Sequence, residues 1–236
     1  MGDHPTDLES LIRFKRSLCA AAVLACLSGV AVAEDSPISA NVGFVSDYQY
    51  RGYSQTKENM AIQGGLHYTH DAGFYAGVWG SNVDWLGKGS LEVDVFGGYI
   101  NSIGDFAYDV GLLQYVYPGG KIGGESADTT EAYVAVSWKL LTFKYSYAFT
   151  DLFGAADSDG SQYFELSASQ EVGGGFTLGA HVGRQQIENG TSYNDWKVGV
   201  SKDYAGFTFG LNYVDTDVDN DDNADARVIL SVSKSF

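Results

Sequence analysis

Three segments of this chain repeat one alternation: GFYAGVWGS from residue 73, GFTLGAHVG from residue 175 and GFTFGLNYV from residue 206. Each opens on Gly-Phe, then sets large apolar side chains against small or polar ones at every second position. Successive side chains of a strand point to opposite faces, so a period-two pattern builds a sheet with one greasy and one hydrophilic face. A helix does not satisfy that period. Thirty Gly, 16 Tyr and 13 Phe against three Pro lean the same way. Aromatic residues suit a pleated surface, and glycine supplies the positive φ of tight turns.

Alternation and turn residues together predict twelve strands, near 38–50, 59–69, 73–84, 90–101, 105–116, 130–138, 141–150, 161–171, 175–186, 193–203, 206–215 and 225–236. Their connections sort by length. Short ones fall at 70–72, 102–104, 139–140, 172–174 and 204–205, and longer polar ones at 51–58, 85–89, 117–129, 151–160, 187–192 and 216–224. Every second connection being short is the signature of an up-and-down antiparallel barrel with short turns at one end and long loops at the other. The expected fold is therefore all-β: a closed antiparallel up-and-down transmembrane β-barrel of about 12 strands over residues 34–236.

The Gly-Phe units, with Asp105-Phe106 as a variant, each follow a short turn, which places Phe74, Phe106, Phe176 and Phe207 at one level. Aromatic girdles form where hydrocarbon meets headgroups. A closed barrel of this strand number has a backbone radius of roughly 13 Å at a tilt near 45°. Filling it in a soluble protein calls for bulky side chains or a central helix, and no segment is left to supply one. With lipid outside, strands of this length span the apolar band. The ending DARVILSVSKSF agrees, with Val228, Leu230, Val232 and Phe236 on one face and Arg227, Ser231, Ser233 and Ser235 on the other. A terminal Phe236 on the lipid face resembles the signal by which the barrel assembly machinery receives outer-membrane substrates.

The first 33 residues read as a secretory signal peptide: Arg13, Lys15 and Arg16 precede an apolar run from Leu18 to Ala33 that ends Ala31-Val32-Ala33. The run is shorter than the roughly 20 residues a spanning helix needs. Both cysteines, Cys19 and Cys26, lie within it, and lipid attachment at Cys26 is the lesser alternative. Removing three acids and three bases with that segment leaves the net charge at −16. So acidic a chain is unsuited to nucleic acid, whose phosphates are neutralised by Lys and Arg.

The blocks NVGFVSDYQYRGYSQT, AIQGGLHYTH, GFYAGVWGSNVD, GDFAYDVGL, GFTLGAHVG, DWKVGVSKDYAGFTFGLNYVDTD and the C-terminal twelve residues resemble the TorF family of porins, over nearly the whole chain beyond the signal. The resemblance implies a channel in the outer membrane of a Gram-negative bacterium, and it implies no residue roles.

On the hydrophilic face, the candidate pore-lining residues are Glu92, Asp94, Asp109, Glu131, Lys144, Glu165, His181, Lys197 and Arg227. Carboxylates around a wet passage favour cations, while the bland alternative is that these charges brace a narrow lumen as cross-strand pairs. Because many inward positions are Gly, Ser or Thr, the sequence predicts a lumen up to roughly 14 Å across. Arg51 in YQYRGYSQ is expected to anchor at the outer interface or loop, with an inward, solute-contacting Arg51 as the alternative. The acidic loop 215–225 fails as an EF-hand, with Asn220 where Gly is needed and Ala226 where Glu is needed. It is expected to be a solvated loop, with a loose divalent contact to lipopolysaccharide as the alternative. His67, His70 and His181 lack metal-ligand spacing, no G-x-S-x-G unit marks a nucleophile, and GGKIGG reads as a turn. No cofactor or metal is expected. The function expected is passive diffusion of small polar solutes, with a non-conducting structural barrel and, less so, a membrane-embedded hydrolase as alternatives. Outer-membrane lipids and lipopolysaccharide are the expected surroundings.

Overall fold

The computed structural model describes residues 36–86 and 89–236. The expected signal peptide and both cysteines lie outside the described residues. In chain order the strands are β1 (Ile38–Val45), β2 (Gln49–Tyr50), β3 (Tyr53–Ser54), β4 (Ala61–Thr69), β5 (Phe74–Leu86), β6 (Gly89–Ile103), β7 (Phe106–Val116) and β8 (Lys121–Ile122). They continue as β9 (Glu125–Ser126), β10 (Thr129–Trp138), β11 (Leu141–Ala148), β12 (Gln162–Gly173), β13 (Phe176–Gln186), β14 (Tyr193–Tyr204), β15 (Phe207–Thr216) and β16 (Arg227–Ser235).

Twelve of these strands form a closed barrel in the order β1-β16-β15-β14-β13-β12-β11-β10-β7-β6-β5-β4, in which β4 pairs back to β1. Every ladder is antiparallel, and closure is made by β1 on β16, with Asn41 opposite Ser235 and Val45 opposite Ser231. Phe236 completes the seam through backbone hydrogen bonds in both directions with Ala40, at 2.8 and 3.1 Å. The β2–β3 and β8–β9 hairpins stand outside the barrel ladder.

Solvent preference is inverted relative to a water-soluble protein. Phe74, Phe106, Phe176 and Phe207 are exposed just after short turns, and Leu66, Val95, Leu112, Leu178, Val198, Phe209 and Leu230 are exposed along the strands. Gln63, Ser81, Glu92, Asp109, Glu131 and Asp195 are buried on the opposite face. Leaving one large apolar side chain in water forgoes about 1.5–3 kcal/mol, so about ten such positions would cancel the ~5–15 kcal/mol that holds a domain together. Hydrocarbon against the exterior removes that penalty, and closure leaves no strand edge unpaired in lipid. This is a transmembrane barrel of the outer-membrane type.

The first strand departs from its expected span of 38–50, because pairing stops at Val45. Asp47 accepts hydrogen bonds from the hydroxyls of Ser54 (2.5 Å) and Thr56 (2.9 Å), and the Tyr48 amide donates to Thr56 Oγ1 at 3.0 Å. Local side-chain bonds of this kind, to one another and to the backbone, compete with a ladder and turn the chain back on itself. Arg51 (φ 44°) and Gly52 (φ 89°) form the tip between β2 and β3. A Cβ on Gly52 would collide with Thr216 and Asp195 of the wall, so only glycine lets the tip lie this close to β14 and β15. The long loop after β11 also turns inward: Phe153 packs edge-on against Tyr50, Trp85, Tyr115 and Tyr117.

Candidate functional site

Four inward glycines hold aromatic rings. A Cβ added at Gly77 would strike the Phe96 ring, at Gly98 the Tyr75 hydroxyl, at Gly111 the Tyr133 ring and at Gly183 the Tyr163 hydroxyl. Each glycine is the bed for an aromatic side chain from a neighbouring strand, an arrangement that recovers packing where a strand lacks a side chain. Tyr75, Trp79, Phe96, Tyr115, Tyr133 and Tyr163 are all buried. The rings occupy the space these glycines leave, which narrows the passage below its upper limit of roughly 14 Å. The wall on the β12–β14 side stays wetter toward the short turns, where the inward positions Ser169 and Gly179 are exposed and Thr177 and Ser201 are half-buried.

The expectation for Arg51 is corrected. The residue does not anchor at an interface but crosses the lumen. Its Nη1 and Nη2 donate to Glu131 Oε1 and Oε2 at 3.0 and 2.7 Å, and Nη1 also donates to Gln185 Oε1 at 2.8 Å. The guanidinium lies 4.7 Å from the Tyr50 ring centroid and 4.3 Å from that of Tyr163. Glu131 stands on β10, five strands from β1 by the shorter way round, so the first loop is tied to the far wall. The side chains of Arg51 and Glu131 are 7% and 4% exposed, which makes this a desolvated pair. Burial alone would lower the Arg51 pKa, but Glu131 and the tyrosines beside it hold it well above its ordinary value. Geometry explains the miss: a hairpin tip with positive φ and a glycine neighbour aims its side chain back into the barrel, where carboxylates wait.

At the base of the loop a second ion pair, Arg227 Nη1 to Asp47 Oδ2 at 3.0 Å, ties it to β16. The candidate lumen residues fall into local groups rather than one ring. Glu92 accepts from the hydroxyls of Tyr48 (2.7 Å) and Tyr117 (2.8 Å), and its strand neighbour Asp94 has a buried Oδ1 with no hydrogen-bond partner among the described residues. Asp109 accepts from Tyr75 at 2.6 Å, and the Tyr75 hydroxyl also bonds that of Tyr133. The Lys144 ammonium sits 4.4 Å from the Tyr133 ring centroid. His181 lies between two carboxylates, with Nε2 2.7 Å from Asp195 and Nδ1 3.4 Å from Glu165, and the Tyr163 hydroxyl 3.0 Å from its Nε2. Lys197 lines a small cavity with Asp47, Gln63, Asn212 and Ser231.

Asp47, Gln63, Tyr163, Gln185 and Asp195 belong to this interior and were not singled out in the sequence. For Tyr163, Gln185 and Asp195 the signal was available, since each keeps inward parity with Glu165, His181 and Lys197. Among the described residues no group of three or more His, Cys, Asp or Glu is arranged to hold a metal ion, the loop 215–225 included.

Several solved structures share the fold. The chain superposes on the KdgM porin with a TM-score of 0.60 at 10% identity, covering 84% of this chain and 99% of that one. The NanC porin gives a TM-score of 0.53 at 14% identity, with 83% and 97% covered. An outer membrane channel from Pseudomonas putida F1 gives 0.52 at 14% identity, with 88% and 100% covered. A comparison with curated proteins found no match. Residues 31–236 match the family described as "Bacterial protein of unknown function (Gcw_chp)", and the chain belongs to that family.

Proposed function

We propose that this protein is an outer-membrane channel for passive diffusion of small polar solutes, with a mild preference for cations, narrowed by its own first loop. The observation that carries the reading is the inward face itself: Glu92, Asp94, Asp109, Glu131, Lys144, Glu165, His181 and Lys197 point into a barrel whose exterior is apolar. Charges of both signs are costly to bury dry, and Asp94 Oδ1 and Asp109 Oδ2, which meet no protein donor among the described residues, call for water. Acids outnumber bases among these groups, which supports the cation preference. The porin fold and the resemblance to TorF porins support the same direction. Arg227 belongs to the loop's base in this proposal.

A second reading is a barrel that conducts nothing and serves as a structural or surface protein. The tied hairpin and the aromatic filling favour it. Planar-bilayer recordings of the wild type and of a variant lacking residues 49–54 separate the two. The channel reading expects a small wild-type current, a larger one in the variant, and a reversal potential shifted toward the cation in a salt gradient. Silence from both, in bilayers shown to contain folded barrel, leaves the closed reading.

A further inference from the structure

Arg51 is held by groups that belong to the wall and that keep partners of their own, Glu131 Oε2 accepting from the Tyr115 hydroxyl at 3.4 Å. Glu131 comes from β10, Tyr163 from β12 and Gln185 from β13, and Tyr163 and Gln185 are directly opposite each other in their ladder. Gln185 Nε2 donates to the Gln162 carbonyl at 3.1 Å, which turns its Oε1 to the lumen as an acceptor. The Tyr163 ring is oriented by its hydroxyl, which donates to Asp195 at 2.9 Å. Between them β11 presents the small, buried Ser146 and Ala148 at this level, with Lys144 the next residue on the same face.

We infer that Glu131, Gln185 and Tyr163 form a binding site for guanidinium-bearing solutes, and that Arg51 is its tethered occupant. A planar cation with N–H groups on two edges satisfies the site: two parallel hydrogen bonds to one carboxylate, a further one to an amide oxygen, and a ring face to cover it. A spherical cation or a compact ammonium matches only the charge. When the tip leaves, a buried carboxylate and a buried amide oxygen remain facing the lumen, and leaving such acceptors unpaired is costly. A free guanidinium entering from the solvent relieves that cost, so solute and hairpin compete for one place. Lys144, whose ammonium rests over Tyr133, is within electrostatic reach of Glu131 and is an internal competitor for it.

The site is tested by chemical rescue in purified full-length barrel folded in detergent, comparing wild type, R51A, R51A/K144M and R51A/E131Q. Calorimetric titration with guanidinium chloride and with methylguanidinium, at millimolar concentration and against potassium chloride of equal ionic strength, is expected to give saturable binding to R51A and R51A/K144M. Binding is expected to be weaker by about tenfold or more in R51A/E131Q, where the charge-assisted pair is lost, and far weaker in wild type, where Arg51 fills the site. The same ions are expected to raise the thermal midpoint of R51A above that in potassium, since a ligand of the folded state stabilises it. Absence of saturable binding in both R51A and R51A/K144M overturns the inference, as does binding that E131Q leaves unchanged.

The inference deepens the channel reading but is not decided by it. Guanidinium is expected to block current through R51A, and the two ideas fail separately: a silent R51A that binds guanidinium through Glu131 keeps the site and removes the channel. A conducting R51A without such binding does the opposite.

Discussion

Two glycines on one strand offer an internally controlled test of how the lumen is filled. Gly179 and Gly183 both lie on the inward face of β13, four residues apart. A Cβ at Gly183 would run into the Tyr163 hydroxyl and the Asp195 carboxylate, whereas one at Gly179 meets nothing nearer than the Ala168 carbonyl at 4.0 Å. Tyr163 has little freedom to yield, because it is buried and hydrogen-bonded to both Asp195 and His181. Gly183→Ala is therefore an overpacking substitution, expected to destabilise by about 1–3 kcal/mol. Gly179→Ala relieves backbone entropy without a clash and is expected to be neutral or to stabilise by about 0.4–1 kcal/mol. With a urea dependence of about 1–3 kcal/mol per molar, the midpoint for Gly183→Ala should fall by roughly 1 M while that for Gly179→Ala holds or rises. Unfolding is followed by tryptophan fluorescence and by folded-to-unfolded migration on unheated gels, in one detergent throughout. Adding Tyr163→Ala closes a double-mutant cycle, and a coupling of about 1–3 kcal/mol between positions 163 and 183 is expected. Equal midpoints for the two glycine variants, or a coupling near zero, would refute the claim that rings lie on the glycines.

Three further outcomes follow from the same structure. Val182→Arg, on the exterior midway along β13, should lower stability by about 2–4 kcal/mol in lipid bilayers, the cost of a charge on the lipid face near the midplane, and a refolding titration in vesicles reads it. Asp47→Asn weakens the Arg227 pair at the loop's base, and limited proteolysis should then cut between residues 46 and 60 faster than in wild type while the barrel stays heat-modifiable. The backbone amide and side chain of Asn194 hold the Asp217 carboxylate below its ordinary range. Its small, solvent-screened contribution to anchoring that loop is present above the ordinary pKa of about 3.9 and is lost as pH falls through the lower folded value. A carbon-detected titration of Asp217 should show the depressed midpoint, and Asn194→Ala should move it up.

The barrel was legible because two local rules repeat along the chain. Period-two alternation placed Leu178, Phe209 and Leu230 on one face and Thr177, Asn212 and Ser231 on the other, and the ladders keep those parities. Short turns, marked by glycine or by residues such as Lys139 and Ala205 at positive φ, fixed where strands begin. The interior was harder to read. Parity says that a side chain points inward but not how far it reaches, so glycines looked like open space when the rings of Tyr75, Tyr133 and Tyr163 lie across them. The run DYQYRGY alternates well enough to pass for the end of a strand. What diverts it is a set of bonds from Ser54 and Thr56 back to Asp47, and the place of Arg51 depends on Glu131, 80 residues away. Such contacts exist only once the barrel has closed.

The most direct test of the account asks which face of the hairpins meets lipid. Single cysteines at Leu178 and Phe209, and separately at Thr177 and Ser201, are labelled with a bimane probe in vesicles containing brominated lipid, and reactivity toward a membrane-impermeant thiol reagent is measured in parallel. The account predicts strong quenching and slow aqueous reaction at 178 and 209, with weak quenching and ready reaction at 177 and 201. The reverse pattern would put the apolar face inside the cylinder and contradict the transmembrane barrel, together with every proposal built on its lumen.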